Sequence, residues 1–430
     1  MAGTGPAMAA QGKPESKGPP AWHGGKSMNA LRNAIAIAAL LASGSAFAQY
    51  SDGVVKIGVL SDMSSLYADI GGAGSVAAAK LAVADFGAAA KGIKVEIVSG
   101  DHQNKPDVGA NIAATWFDVD KVDVIVDVPN SGVALAVSEV ARQKNKLFLV
   151  SGAAASDLTG SKCNANTIHW TYDTWALANG TGKAVVKTGG DSWFFLTADY
   201  AFGYALERDT AAVVEANGGK VLGRVRVPLN TNDFSSFLLQ AQASRAKVIG
   251  LANAGGDTIN SIKQASEFGI VKGGQSLAGL LVFVSDVAAL GLPTAQGLIL
   301  TEAWYWDMND ANRAWTKRWQ VERPGKYPSM VQTGVYSSVL HYLKAVEALK
   351  SDADGKAVAA KMKEMPTDDR LFGKGTIRPD GRKVHDLYLF EVKKPAESKY
   401  PGDFYKLRAT IPAAEAFRPL HEGGCPLVQG

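Results

Sequence analysis

From Val54 onward the chain alternates short, continuously apolar runs with longer amphipathic ones. The runs at 55–60, 95–98, 122–128 and 147–150 are rich in β-branched residues and predict strands. Between them, 74–90, 108–117 and 133–144 carry helical spacing. Strands without inward/outward alternation, separated by helices, belong to a parallel sheet covered on both faces. Short connections suit right-handed βαβ units. The rhythm then restarts, with strands at 193–196, 221–227, 248–251 and 280–284 and helices at 204–215, 234–242 and 258–268. Two consecutive series predict two similar α/β lobes and not one long sheet. Beyond 297–301 the pattern is helical at 309–321 and 330–349, turn-rich at 373–382, strand-like at 387–392 and irregular from Lys393. The loop PLNTND at 228–233 places Asp233 to cap the helix that follows.

Upstream, residues 28–50 read MNALRNAIAIAALLASGSAFAQY. Arg32 supplies a positive start, 34–42 a short apolar core, and Ala46-Phe47-Ala48 the small-x-small pattern of a cleavage site. That core is far short of the roughly 20 apolar residues needed to cross a bilayer. The segment is expected to be an export signal removed after Ala48, and a buried helix is the poorer reading because its flanks are wrong for one. No Cys follows the cleavage point, which disfavours a lipoprotein. Residues 1–27 are Gly, Pro and Ala rich and look like a disordered extension or a start codon placed too early. With 1–48 set aside as leader and signal peptide, the rest is long enough for two lobes with substantial cores.

The net charge is +4, but Lys13, Lys17, Lys26 and Arg32 against Glu15 all fall in the leader, so the mature chain is close to neutral. A nucleic-acid partner is not implied. The two cysteines, Cys163 and Cys425, are expected to form one disulfide in an exported chain. They are too few, without clustered histidines, for structural zinc.

Catalytic chemistry is not evident. The six histidines are scattered without metal spacing, and GxSxG and P-loop patterns are absent. Gly71-Gly72-Ala73-Gly74 stands too far after its strand for a dinucleotide loop. No cofactor is expected. What recurs is small and hydroxyl residues where strands hand over to helices: Asn130-Ser131-Gly132 after one strand, and 151–156 (SGAAAS) after the next. Free N–H groups there favour a carboxylate; the plainer reading is that Ser131 and Ser156 only cap helices. Aromatic residues gather at two expected crossings, Trp170, Tyr172 and Trp175, then Trp304, Tyr305 and Trp306. They either pack the hinge or wall a ligand.

The segments VVKIGVLSDMSSLYADIGGAGSVAAAKLAVADF, VDVIVDVPNSGVALAVSEVARQKNKLFLVSGAAASDLTG, TADYAFGYALERD, IKQASEFGI and SDVAALGLPTAQGLILTEAWYW, in this order, resemble the leucine/isoleucine/valine-binding class of type I periplasmic binding proteins. These are the extracellular ligand-binding proteins of ABC transporters. The resemblance implies two Rossmann-like lobes, each a parallel sheet flanked by helices, joined by three crossings and closing on a ligand. It maps lobe 1 to 54–170 plus 303–372 and lobe 2 to 171–302 plus 373–430. It also carries over a ligand set: Ser131 or Gly132, Ala153 and Ala155 for the carboxylate, Tyr67 as an aromatic on the facing loop, Phe202 and Ala254 where the family has tyrosines, and Asp286 for an ammonium. Ala155 replaces a hydroxyl residue, Phe202 lacks a phenol and Ala254 lacks a ring, so the cleft should be wider or drier.

The resemblance implies a monomer that delivers a branched-chain type amino acid or related small carboxylate to a membrane permease from the periplasm, without turnover. The segment LPTAQGLILTEAWYW also resembles the branch that takes up aromatic carboxylates. Asp286 bears on the choice, since a buried carboxylate needs a cation or donors that an α-ammonium supplies. A hydrolase or dehydrogenase on the same architecture lacks a recognisable nucleophile or cofactor loop. A sensor domain would need a separate partner.

Overall fold

Continuous Val, Ile and Leu runs settle where water is excluded from both faces of a sheet. The structure, a computed structural model, describes residues 17–21 and 50–428. The expected signal segment 28–48 lies outside the described residues, as does the leader apart from 17–21.

The first series forms β1 (Val55–Ser61), β2 (Val95–Asp101), β3 (Val124–Asp127), β4 (Leu147–Val150) and β5 (Thr167–His169). They make one all-parallel sheet in the order β2-β1-β3-β4-β5. Its helices are α1 (Gly72–Phe86), α2 (Pro106–Asp118) and α3 (Ser131–Lys144). The second series forms β6 (Ser192–Ala198), β7 (Lys220–Val227), β8 (Val248–Ala252) and β9 (Ser276–Gly279), parallel in the order β7-β6-β8-β9. Its helices are α4 (Ala201–Ala216), α5 (Ser235–Ala243), α6 (Gly256–Glu267) and α7 (Val284–Leu290). Strands β3, β4, β6 and β8 are buried along their whole length, as strands covered by helices on both faces must be. The expected fold, two α/β lobes each built on a parallel sheet, is the observed one.

Downstream come β10 (Ile299–Glu302), α8 (Asp310–Trp319), α9 (Met330–Leu349) and α10 (Gly355–Glu364). The small residues of α1 let α9 approach closely: a Cβ on Gly74 would lie 2.2 Å from the Gln332 amide nitrogen. Three short strands, β11 (Thr367–Asp369), β12 (Gly373–Ile377) and β13 (Lys383–Val384), pair antiparallel, and His169 at the end of β5 bridges Arg382. Residues 373–384, expected in lobe 2, thus pair beside the first sheet. The last strands, β14 (Leu387–Val392) and β15 (Tyr405–Ile411), pair with β10 in a separate antiparallel sheet. Phe390, Val392 and Tyr405 share a buried cluster with Phe194, Leu196 and Ile249 of the second lobe.

Three local expectations are corrected. The apolar run at 280–284 is not a strand: β9 ends at Gly279, Leu280–Phe283 is a buried loop and Val284 opens α7. Periodicity alone cannot separate a buried loop from a buried strand. Gly373–Arg382 contains strand pairing as well as turns. The tail beyond Lys393 is not wholly irregular, because β15 lies in it. Farther on, the chain leaves the second lobe, and Cys425 is bonded to Cys163 with Cα atoms 5.6 Å apart.

Candidate functional site

In open parallel sheets the carboxyl ends of the strands leave unpaired backbone groups and form the natural ligand edge. Here the carboxyl ends of both sheets face one another. From the first lobe come the loops after β1, β3 and β4; from the second come those after β6, β8 and β9. Together they line a tight pocket of about 10 Å³ between the lobes. Its walls are Tyr67, Ile70, Pro129, Gly152 and Ala154 on one side, and Tyr200, Phe202, Ala254, Leu281 and Phe283 on the other, with Tyr172 from the first crossing. None of these side chains is charged. The space left between the walls is about what one water molecule needs.

The lobes touch directly around this space. The phenol oxygens of Tyr67 and Tyr200 are 2.6 Å apart across the cleft. Gly255, with φ +57, brings its Cα so close that a Cβ would stand 2.6 Å from the carbonyl oxygen of Leu66. Only glycine meets both the left-handed backbone and that approach. The Tyr67 loop is held by Asp62, which accepts from the N–H groups of Tyr67 (2.8 Å) and Ser65 (2.9 Å) and from the Asn104 amide (2.6 Å). Burial pushes the Asp62 carboxyl up, but these bonds outweigh it and leave it below its ordinary range. Tyr172 donates to the Gly152 carbonyl at 2.6 Å, so its proton is already committed.

Of the residues expected from the sequence, Tyr67, Phe202 and Ala254 stand on the cavity wall. Ser131, Gly132, Ala153, Ala155 and Asp286 do not. Asn130, not Ser131, caps α3, accepting from Val133 N–H at 3.1 Å. Ser131 is the first residue of the helix, and its hydroxyl accepts from the N–H groups of Ala154 and Ala155, both at 3.2 Å. The hydroxyl and the strand-end amides thus meet next to the wall, and in this closed form they satisfy each other. Ser156 is turned away and donates to Asp209 at 2.6 Å. Asp286 sits one layer behind Phe283, whose N–H donates to it at 2.9 Å.

Electrostatics around the cavity are one-sided. Burial pushes the Asp286 carboxyl up to about 7, with the Phe283 N–H opposing. Burial also pushes Asp127 up to about 7, opposed by the neighbouring Ser75 and Ser61 hydroxyls. Its carboxyl lies between two glycines, with the positions a Cβ would take on Gly71 and Gly152 at 2.6 and 2.9 Å from its oxygens. Asp127 (φ +83) and Val128 (φ +54) both adopt left-handed backbone, which is rare for a β-branched residue. Glu302, fully buried at the end of β10, is pushed well up by burial. The phenol of Tyr172 is held well above its usual range, first by burial and then by Tyr200, Asp127, Glu302 and Asp286. Three buried carboxyls therefore bear on a wall residue, and no cation lines the wall.

Sequence reasoning missed Tyr200, Asp127 and Glu302. The lost phenol expected at Phe202 is supplied by Tyr200, two residues earlier, at the cap of α4. The signal for Asp127 was visible as the second of two carboxylates, after Asp123, in the apolar run VDVIVDV. Among the described residues, no group of three or more His, Cys, Asp or Glu is placed to hold a metal ion.

Known proteins share this arrangement. A periplasmic binding protein of Burkholderia mallei is 54% identical and superposes with a TM-score of 0.85, covering 88% of this chain and all of that one (100%). A branched chain amino acid ABC transporter periplasmic ligand-binding protein of Burkholderia xenovorans LB400 is 42% identical with a TM-score of 0.77, covering 87% and 99%. A Leu/Ile/Val-binding protein homolog of Brucella melitensis is 27% identical over 376 residues, 85% of this chain and 93% of its own length. Residues 54–399 match the family described as periplasmic binding protein. The chain belongs to the periplasmic binding protein family.

Proposed function

We propose that this protein is the periplasmic capture component of an ABC importer, taking a branched-chain type amino acid or a closely related small acid between its two lobes. The single observation that carries the ligand class is the lining of the pocket between the lobes, with apolar and phenolic walls, no cationic side chain, and buried carboxyls acting on it from behind. Such a site complements an apolar body with an ammonium, because an ammonium offsets carboxyls that otherwise stay protonated. The apolar part packs on Ile70, Phe202, Leu281 and Phe283. The ligand carboxylate lies at the 153–155 segment, where Ser131 still has a proton to donate and α3 presents its N-terminus. Asp286 provides the countercharge for the ammonium.

Binding works by closure. Only the closed arrangement offers both walls at once, so a ligand that touches both selects it. No bond of the ligand is made or broken. The chain is exported through the 28–48 signal, works as a monomer in the periplasm and hands its ligand to a membrane permease. The similarity to binding proteins of transporters supports this assignment. A second reading, an aromatic carboxylate, is favoured by one feature, the three phenols Tyr67, Tyr172 and Tyr200 on the wall.

Native mass spectrometry of the purified protein identifies any co-purifying molecule. Calorimetry on stripped protein then compares L-leucine with 4-hydroxybenzoate, and repeats the better ligand with Asp286→Ala. Amino acid binding that weakens by about 10- to 100-fold in the variant is expected for loss of a charge-assisted contact. Undiminished binding removes the ammonium assignment.

A further inference from the structure

We infer that Asp209, on α4 of the second lobe, is a positioning residue for capture, fixing the 153–156 segment of the first lobe in the pose that receives the ligand's carboxylate. The inference rests on the proposed carboxylate end of the site. Asp209 is 5% exposed and gathers four donors. One oxygen accepts from Ser156 Oγ and Thr174 Oγ1, both at 2.6 Å. The other accepts from Arg208 Nε at 3.0 Å and Arg418 Nη2 at 3.3 Å.

Ser156 is held at both its hydroxyl and its backbone. Its hydroxyl donates once, to Asp209, and accepts from Arg208 at 2.9 Å and Arg418 at 3.0 Å. One proton and two lone pairs are all a hydroxyl has, so none is left for a ligand. Its N–H donates to Thr174 Oγ1 at 3.1 Å, closing a ring back to Asp209. Arg208 also pairs with Asp157 at 3.2 Å, so two acids face two guanidiniums and the cluster is neutral. Arg208 is half-exposed and Asp157 and Arg418 partly so, and the buried part of the cluster is Asp209 with the Ser156 and Thr174 hydroxyls, where satisfied hydrogen bonds rigidify most.

The position of this cluster gives it a role beyond packing. Ala154, a cavity-wall residue, is two positions from Ser156, and the amides of Ala154 and Ala155 meet Ser131. The cluster joins this segment to α4, to the short helix Thr174–Leu177 just past the first crossing, and to the tail. Arg418 comes from that tail, which the Cys163–Cys425 bond fastens to the first lobe. Asp209 does not touch the wall itself, and its most direct route to the ligand is the 153–156 backbone, which it holds through Ser156.

The test uses the mature full chain with Asp209→Ala, Ser156→Ala, the double variant and Arg418→Gln, probed with L-leucine and with 4-hydroxybenzoate. Hydrogen exchange of the 152–157 peptide reads the segment without any ligand, and stopped-flow Trp fluorescence separates association from dissociation. In Asp209→Ala the peptide should exchange faster and dissociation should speed up by about 10- to 100-fold, with association changed by less than about 3-fold. Ser156→Ala should add little to Asp209→Ala, as expected for members of one network. Arg418→Gln should act in the same direction, more weakly, and serves if Asp209→Ala does not fold. A lower melting temperature with unchanged exchange at 152–157 and unchanged dissociation would overturn the inference, because that marks a merely structural residue. Faster exchange without any change in dissociation would also overturn it. If the parent protein binds neither probe, the ligand reading is what fails; faster exchange still supports the positioning role, and unchanged exchange defeats it.

Discussion

The sharpest consequence of the site's electrostatics is a pH dependence of ligand affinity. Burial holds Asp286 near 7 in the closed protein, against an ordinary carboxyl value of 3.8. An ammonium pairs favourably only with the ionised form, so binding must displace the proton. The ionised fraction is then about 1% at pH 5, about half at pH 7 and nearly complete at pH 9. Affinity for an amino acid should then rise by well over 10-fold from pH 5 to 7, about 2 kcal/mol, and only about 2-fold from pH 7 to 9. At pH 6 about 0.9 proton should leave per ligand bound. Calorimetry in two buffers of different ionisation enthalpy measures that proton directly. The Asp286→Asn variant should bind more weakly at pH 8 and lose most of the slope. Buried Asp127 titrates in the same range, so Asp127→Asn is the matching control. A flat profile refutes the pairing. Affinity that falls with rising pH points instead to an acid that gains from the protonated carboxyl, as a benzoate would.

Other outcomes follow from particular contacts. Gly255→Ala should leave both lobes folded yet weaken binding severely, since its Cβ would meet Leu66 O at 2.6 Å in the closed form; calorimetry beside a melting curve separates the two effects. Gly152→Ala forces a Cβ to 2.7 Å from Pro129 Cα and 2.9 Å from Asp127 Oδ1, and should cost about 1–3 kcal/mol in denaturant unfolding besides reducing affinity. Asp127→Asn should gain stability relative to the parent as pH rises from 5 to 8. The sign follows because the native carboxyl keeps a proton that the unfolded chain has released, so its contribution is full below about 4 and fades as pH climbs through 7. Replacing Cys163 and Cys425 together by Ser should lower stability by about 2–4 kcal/mol, read from chemical denaturation.

Much of the fold could be read from the pattern of apolar runs, because strands such as β1, β3, β4, β6 and β8 are short, mostly apolar segments set between helical ones. The second lobe was harder at its last strand. Leu280, Leu281, Val282 and Phe283 are as buried as any strand, yet Leu281 and Phe283 serve as pocket wall, and apolar content alone does not say which neighbour excludes the water. Strand β15 was hidden because it is an exposed edge, with Leu407 half-exposed and polar residues alternating irregularly. The pairing between His169 and Arg382 is long-range and leaves no local mark in the sequence.

The site was legible in part for the same reason. Tyr67, Phe202 and Ala254 lie at strand ends whose positions the pattern located, and they reach the wall. Tyr200 did not stand out because a helix cap is usually polar and small, whereas here a phenol occupies it and reaches across to Tyr67. Ser156 looked equivalent to Ser131 in sequence, but residues 53 and 262 positions away, Asp209 and Arg418, claim its hydroxyl. No local spacing rule could find them.

Capture by closure is tested most directly by small-angle scattering of stripped protein titrated with the ligand that calorimetry selects. A saturable contraction with the same midpoint as the heat signal, and ligand recovered chemically unchanged, is the expected result. Stoichiometric heat with an unaltered scattering curve, or recovery of a modified ligand, would contradict it.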